Sequence, residues 1–161
     1  MRLLFMHVDK IEYTVKRKTP VAEDITPEQR KGRMDDCLLV YACVEQIDNM
    51  DAEGIIKLVV KEVASVAESV KTKSIAIFPF AHLSPHLSTP QAAISTIRGV
   101  EKNLESQGFK VMHVPFGWNK EFELKSKGHP MAVLSRMICP KLEGCEKRCP
   151  YCDWPLDIHE R

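Results

Sequence analysis

The longest apolar run in this chain, CLLVYACV at 37–44, is far short of the roughly 18–20 residues that a helix needs to cross a bilayer. No membrane-spanning helix is therefore expected. Charge of one sign is also lacking: 23 Lys and Arg against 22 Asp and Glu leave a net charge of +1. Proteins that grip long stretches of nucleic acid through phosphates carry a basic surplus. Any RNA contact here is expected to be short, or shared with another protein. A secretory leader is not apparent either. The apolar start, Met1 to Met6, gives way at once to His7, Asp9 and Lys10, which suits a first strand. With six scattered cysteines and no targeting segment, the expected location is a reducing cytoplasm.

What is present suits a soluble α/β domain. At 161 residues, 44% apolar and 28% charged, the chain is long enough for one core and a small appendage. Residues 2–8 read as a buried strand and 11–15 as a half-buried one, followed by a polar loop or short helix over 19–31. The 37–44 run fits a strand buried on both faces. Apolar residues from Ile55 to Val70 recur at three- and four-residue spacing, so a helix is expected over 51–70 with Asp51 as its cap. A short strand is expected at 74–78. A second helix follows Thr89-Pro90, proline suiting the first helical position, and stops at Gly108. Strands are expected over 109–116 and 121–125, and a third helix from Pro130 to about Ile138. Helical crossovers imply some parallel pairing and short connections some antiparallel pairing. A mixed sheet curved towards a barrel, with helices packed on it, follows.

Three connectors carry residue types suited to chemistry. Phe78-Pro79-Phe80-Ala81-His82-Leu83-Ser84 lies at the carboxyl end of a buried strand, where open α/β sheets bind ligands. Its stiff backbone offers fixed polar groups, and His82 is placed to project at the mouth. A packed aromatic loop with a surface histidine explains the same residues. Pro115-Phe116-Gly117-Trp118-Asn119-Lys120 also ends a strand. There Trp118 offers a flat face for a base and Lys120 a cation for a phosphate or for charge on a carbonyl under attack; a hairpin turn with an exposed lysine is the plain alternative. Lys127-Gly128-His129-Pro130 is read as a helix start, whose free amides suit an anion, although capping alone accounts for it. Basic clusters at Lys16-Arg17-Lys18, at Arg30-Lys31 with Arg33, and at Lys125 with Lys127 read either as solvated surface or as RNA contacts.

Taken in order, PFAHLS, PFG with a lysine three residues after the glycine, and KGHP with LSR resemble the amino-terminal editing domain of archaeal-type threonyl-tRNA synthetase. MHVDKIEY at 6–13 and KGRMDD at 31–36 agree, so the resemblance covers residues 1–138. It implies a D-aminoacyl-tRNA deacylase-like fold, a homodimer, and hydrolysis of the ester joining L-serine to the terminal adenosine of threonine tRNA. Serine lacks only threonine's methyl group, worth about 1–3 kcal/mol of discrimination, so a synthetase cannot reject it well enough by binding alone. The resemblance also implies a water activated with help from the tRNA's 2′-hydroxyl, and no cofactor for catalysis. Carried over by position, Lys120 orients the reacting groups and stabilises charge, and His82 shapes the pocket against threonine. Val44, Pro79, Phe80 and Ala81 hold the amino acid, Phe116 helps to wall in the adenosine, and Gly117 and Trp118 are substrate-binding residues. His129 joins the substrate-binding set. Two positions depart from the family pattern: Asn119 stands where a tyrosine is common, and Val133 where a glutamate is common in the last helix. Valine neither accepts a hydrogen bond nor pairs with lysine. These departures keep a second reading open, a non-catalytic relative that binds aminoacylated tRNA ends or an amino acid. The family's domain is normally fused to a synthetase body, so help from a separate threonyl-tRNA synthetase is expected.

Residues 139–161 have no counterpart in that resemblance. Cys139, Cys145, Cys149 and Cys152 lie close together, with little apolar material to order them. Four thiolates suit a structural zinc ion or an iron–sulfur cluster; a loose tail is the remaining alternative. Cys37 and Cys43, inside the buried strand, are read as core thiols.

Overall fold

The computed structural model describes residues 1–140. Six strands, β1 (Arg2–Lys18), β2 (Lys31–Cys43), β3 (Ser74–Pro79), β4 (Lys110–His113), β5 (Trp118–Ser126) and β6 (Val133–Met137), form one mixed sheet in the order β4-β3-β2-β1-β5, with β6 also paired to β1. The β2–β3 and β3–β4 pairs are parallel, and the pairs of β1 are antiparallel. The crossovers between the parallel strands are α1 (Ala52–Ser69) and α2 (Pro90–Ser106). Neither is long and apolar enough to cross a membrane.

The two helices form where the pattern and the caps agree. The Asp51 carboxylate accepts the Gly54 amide at 2.8 Å and so satisfies one of the free donors at the start of α1. Thr89 caps α2 with Pro90 at its first position, and Gly108 beyond its end sits at φ +86°. Ile55, Val59 and Val63 of α1 and Ile97, Val100 and Leu104 of α2 are buried against Leu3, Phe5, Leu38, Val40, Ile75 and Ile77 of the sheet. Both helices thus cover one face.

The other face is covered by the sheet itself. The two short strands expected within residues 2–15 are one 17-residue strand with irregularities, where its register against β5 jumps between Val8 and Lys10 and again between Val15 and Arg17. An extra residue at Asp9 keeps Ile11, Tyr13 and Val15 on the same buried face as Val8, and bends the strand. Opposite it, Asp36 takes φ +45°. The bend carries β5 back across the sheet. Phe122 of β5 lies 5.3 Å from Phe78 of β3, ring centre to ring centre. In a flat sheet, three strand spacings would separate them by roughly 14 Å. The sheet curls without closing into a barrel, since β4 and β5 do not pair.

The third helix is absent. Val133–Met137 forms β6, antiparallel to Arg2–Met6. Without β6 the amino-terminal half of β1 would be an open edge, and pairing there outweighs the modest helix propensity of a short apolar segment. The Met1 backbone is held on both sides: its carbonyl accepts the Ile138 amide and its α-amino group donates to Asp48 at 2.6 Å.

Candidate active site

A cavity of about 630 Å³ opens at the carboxyl ends of β2 and β3, the position favoured for ligands in α/β sheets. Because the sheet curls, the first residues of β5 face those ends. Ala42, Cys43, Val44 and the Phe78–His82 segment form one wall, and Phe116 to Lys120 with Phe122 form the opposite one. Ala93 and Ile97 of α2 close the apolar end, and Thr19 and Val21 border it.

Two hydrogen-bonded clusters hold these walls. Phe80 donates its amide to the Ala42 carbonyl at 2.9 Å, which ties the proline-aromatic loop to β2. At its far end the Ser84 hydroxyl donates to the buried Glu45 carboxylate, which also receives Arg2 at 2.9 Å. The opposite wall is pinned by Glu23, from the polar loop after β1. Its carboxylate accepts the Phe116 amide at 2.6 Å, Arg98 at 2.7 Å and His113 at 2.5 Å, while its carbonyl accepts the Trp118 indole at 2.9 Å. The other ring nitrogen of His113 meets Glu101 at 2.6 Å. Carboxylates only accept, so both nitrogens donate and the ring is cationic. Burial opposes its charge, but the bonds to Glu101 and Glu23 outweigh burial and raise its pKa. Burial likewise pushes the Glu23 carboxyl up, yet His113, the Phe116 amide and Arg98 overcome this and hold it down at about 2. Gly117 is required at the turn: its φ is +71°, and a Cβ would lie 2.7 Å from the Val21 carbonyl oxygen.

Lys120 is largely buried in this wall. Its ammonium donates to the carbonyls of Pro115 at 2.6 Å and Trp118 at 2.9 Å, and lies 5.1 Å over the Phe78 ring. Burial lowers its pKa to about 8, the nearby Glu23 charge opposing only in part. It remains mainly a cation at neutral pH, with one donor left for a ligand. His82 is exposed at the mouth, its ring edge-on to Phe80 at 5.4 Å. Cys43 faces the cavity but is not a ready nucleophile. Burial raises its thiol to about 11, and its Sγ donates to the Ala81 carbonyl.

Thus Lys120, His82, Val44, Pro79, Phe80, Ala81, Phe116, Gly117 and Trp118 come together around one cavity, and Asn119 joins them. His129 does not. Its Nε2 lies 2.8 Å from Nδ1 of His7, and its carbonyl closes a turn onto Ala132. With no helix following it, the free amides expected at 127–130 do not form a helix start. Val133 is also outside the cavity: it is 52% exposed at the start of β6, paired with Met6. Of the tail cysteines, Cys139 is buried beside Ile47, while Cys145, Cys149 and Cys152 lie outside the described residues. Among the described residues no group of three or more side chains is placed to hold a metal ion. Sequence reasoning missed Glu23, His113, Glu101 and the α2 residues of the cavity. The glutamates and the histidine sit in segments with no motif, and only partners 75 to 93 residues away in sequence reveal the Glu23 contacts.

Fold and site together define a class: a small α/β domain with an open, largely apolar cavity at its strand ends and a half-buried lysine in the cavity wall. Residues 1–138 match the family model of the archaea-specific editing domain of threonyl-tRNA synthetase, and the chain belongs to that family. It is similar to threonine–tRNA ligases, being 44% identical over 138 residues to that of Methanobrevibacter smithii (86% of this chain, 23% of the relative). It is 45% identical over 144 residues to that of Methanococcoides burtonii (89% and 22%) and 42% over 151 residues to that of Thermococcus sibiricus (93% and 24%). The chain therefore spans about a quarter of the length of these relatives.

Proposed function

We propose that this cavity hydrolyses the ester linking L-serine to the terminal adenosine of threonine tRNA. The observation that carries the reading is the half-buried Lys120 ammonium, fixed by two backbone carbonyls in a largely apolar cavity. Attack of water on the ester carbonyl carbon places negative charge on its oxygen. The C–O bond to the ribose 3′-oxygen then breaks, and that oxygen takes up a proton. A preorganised cation in a water-poor site stabilises such charge far better than one in bulk water. The tRNA's own 2′-hydroxyl, next to the bond being cleaved, assists the water. The protonated state of Cys43 supports attack by water over a thiolate.

Serine and threonine differ by one methyl group, and selectivity is assigned to the mouth. The His82 ring stands against Phe80 where the amino-acid side chain enters. His82→Ala is expected to raise hydrolysis of threonyl-tRNA relative to seryl-tRNA by about 10-fold or more, the scale of one methyl group in a tight pocket. Deacylation of the two esters, followed side by side for wild type and variant, checks this; an unchanged ratio removes His82 from the selectivity. The same proposal includes a homodimer, and a threonyl-tRNA synthetase as the source of the mischarged tRNA. Hydrolysis of neither ester, together with retained binding of the tRNA end, would favour the non-catalytic relative suggested by Asn119 and Val133.

A further inference from the structure

At the mouth of the cavity the indole of Trp118 is locked by its bond to the Glu23 carbonyl and flanked by two cations. Lys18 Nζ and the Arg30 guanidinium carbon each lie 5.8 Å from its ring centre. Both come from elements the curled sheet brings together. Lys18 pairs with Trp118 across β1 and β5, and Arg30 belongs to the short 3-10 turn (Glu28–Arg30) before β2. Arg17 pairs with Asn119 on the next register position, and Lys31 with Thr14. Among the described residues, Arg17, Arg30 and Lys31 are exposed and have no carboxylate within 4 Å. Lys18 is held only by the fully exposed Asp24, while Lys16 is tied to Glu121. At the other end of β1 the cations are spoken for: Lys10 by Glu123, Arg33 by Asp35, and Lys125 and Lys127 by Asp9. Lys18 and Arg30 thus flank an aromatic ring that lines the cavity, with the exposed Arg17 next to Lys18 and the exposed Lys31 next to Arg30 in the chain.

We propose that Arg17, Lys18, Arg30, Lys31 and Trp118 form a track for the single-stranded 3′ end of the RNA whose terminal nucleoside enters the cavity. This rests on the functional reading above. Cations following a backbone beside an aromatic ring on which a base stacks are the physical elements of single-strand recognition. A nucleoside ester bound in the cavity must send its 5′ phosphodiester out through the mouth, and Lys18 and Arg30 stand beside the Trp118 ring that borders it.

The test compares two substrates, seryl-tRNA and 3′-seryl-adenosine, with wild type and a Lys18→Ala/Arg30→Ala variant. The short ester has no phosphate to reach the track, so its hydrolysis is expected to be equal in both proteins. For seryl-tRNA the variant is expected to show a KM raised roughly tenfold at low salt with kcat within about twofold. Its log K against log salt slope should fall by about 1 to 1.5, since each single-strand phosphate contact contributes about 0.7. Equal KM and equal salt slope for both proteins would overturn the track. If wild type hydrolyses neither ester, the functional reading fails, and the track is then judged by fluorescence anisotropy of an uncharged oligonucleotide ending in CCA. Weaker, less salt-sensitive binding by the double variant supports it, and equal binding overturns it. Arg30→Glu supplies a second variant at an exposed position, expected to weaken binding further than alanine.

Discussion

Replacing Lys120 with methionine is expected to lower the rate of seryl-ester hydrolysis by about 100- to 1,000-fold, the scale of removing one preorganised donor from a developing oxyanion. Methionine keeps the length and the contact with Phe78 but has no donor. The carbonyls of Pro115 and Trp118 then lose their shared partner, so the folded state is checked by circular dichroism before rates are compared. The same lysine predicts a pH effect of defined sign. Burial has lowered its pKa to about 8, so the cation is present at pH 7 and is lost as the pH rises through 8. Ester hydrolysis by itself speeds up with rising pH. The informative quantity is therefore the ratio of wild-type to Lys120→Met rates, which is expected to fall between pH 7 and 9. A ratio that rises over this interval would mean that the neutral amine is the active form.

The second large effect is expected at a residue that touches no substrate. Glu23→Ala leaves a cationic His113, Arg98 and the Phe116 amide without their shared acceptor. Breaking a buried ion pair from one side costs about 3–5 kcal/mol, read as a lowered urea midpoint. Because Glu23 also fixes Phe116 and Trp118, the same variant is expected to lose hydrolysis under conditions where it remains folded. The pH dependence of wild-type stability carries the same signature. The Glu23 carboxyl is held at about 2, below its ordinary value near 4.5, so its contribution is complete above that value and is lost as the pH falls towards 2. His113 is shifted the other way. Its contribution is complete below its ordinary value of 6.5 and is lost as the pH rises through its raised folded value. The pair therefore stabilises most between about pH 4.5 and 6.5, and Glu23→Ala is expected to remove both limbs.

Both predictions turn on residues of unequal visibility in the sequence. Lys120 and His82 stand in short proline- and glycine-bearing motifs at strand ends, so a local reading found them. The two long helices were equally legible, since Asp51 and Thr89 cap runs with an unbroken helical spacing. The segment from Pro130 to Ile138 was not. A short stretch such as MAVLSRMI suits helix or strand, and the open edge of β1, more than a hundred residues earlier, settles it. The bend of β1 was hidden for a similar reason. A buried strand over 2–8 and a separate alternating one over 11–15 are what the local pattern suggests, whereas a single extra residue at Asp9 joins them and turns the sheet over. That turn brings Trp118 and Lys120 opposite Phe78 and Val44. Motif and resemblance could therefore name the members of the cavity, but the curl that assembles it, and Glu23 that braces it, emerge only from long-range pairing.

Whether the cavity is a hydrolytic site for a mischarged amino acid, as proposed, is measured most directly by the rate at which the wild-type protein releases serine from seryl-tRNA carrying threonine's anticodon, beside threonyl-tRNA. Serine is expected to leave at least about tenfold faster than threonine, consistent with one methyl group deciding entry. Equal spontaneous loss of both amino acids, with the protein folded and in excess, would contradict the claim.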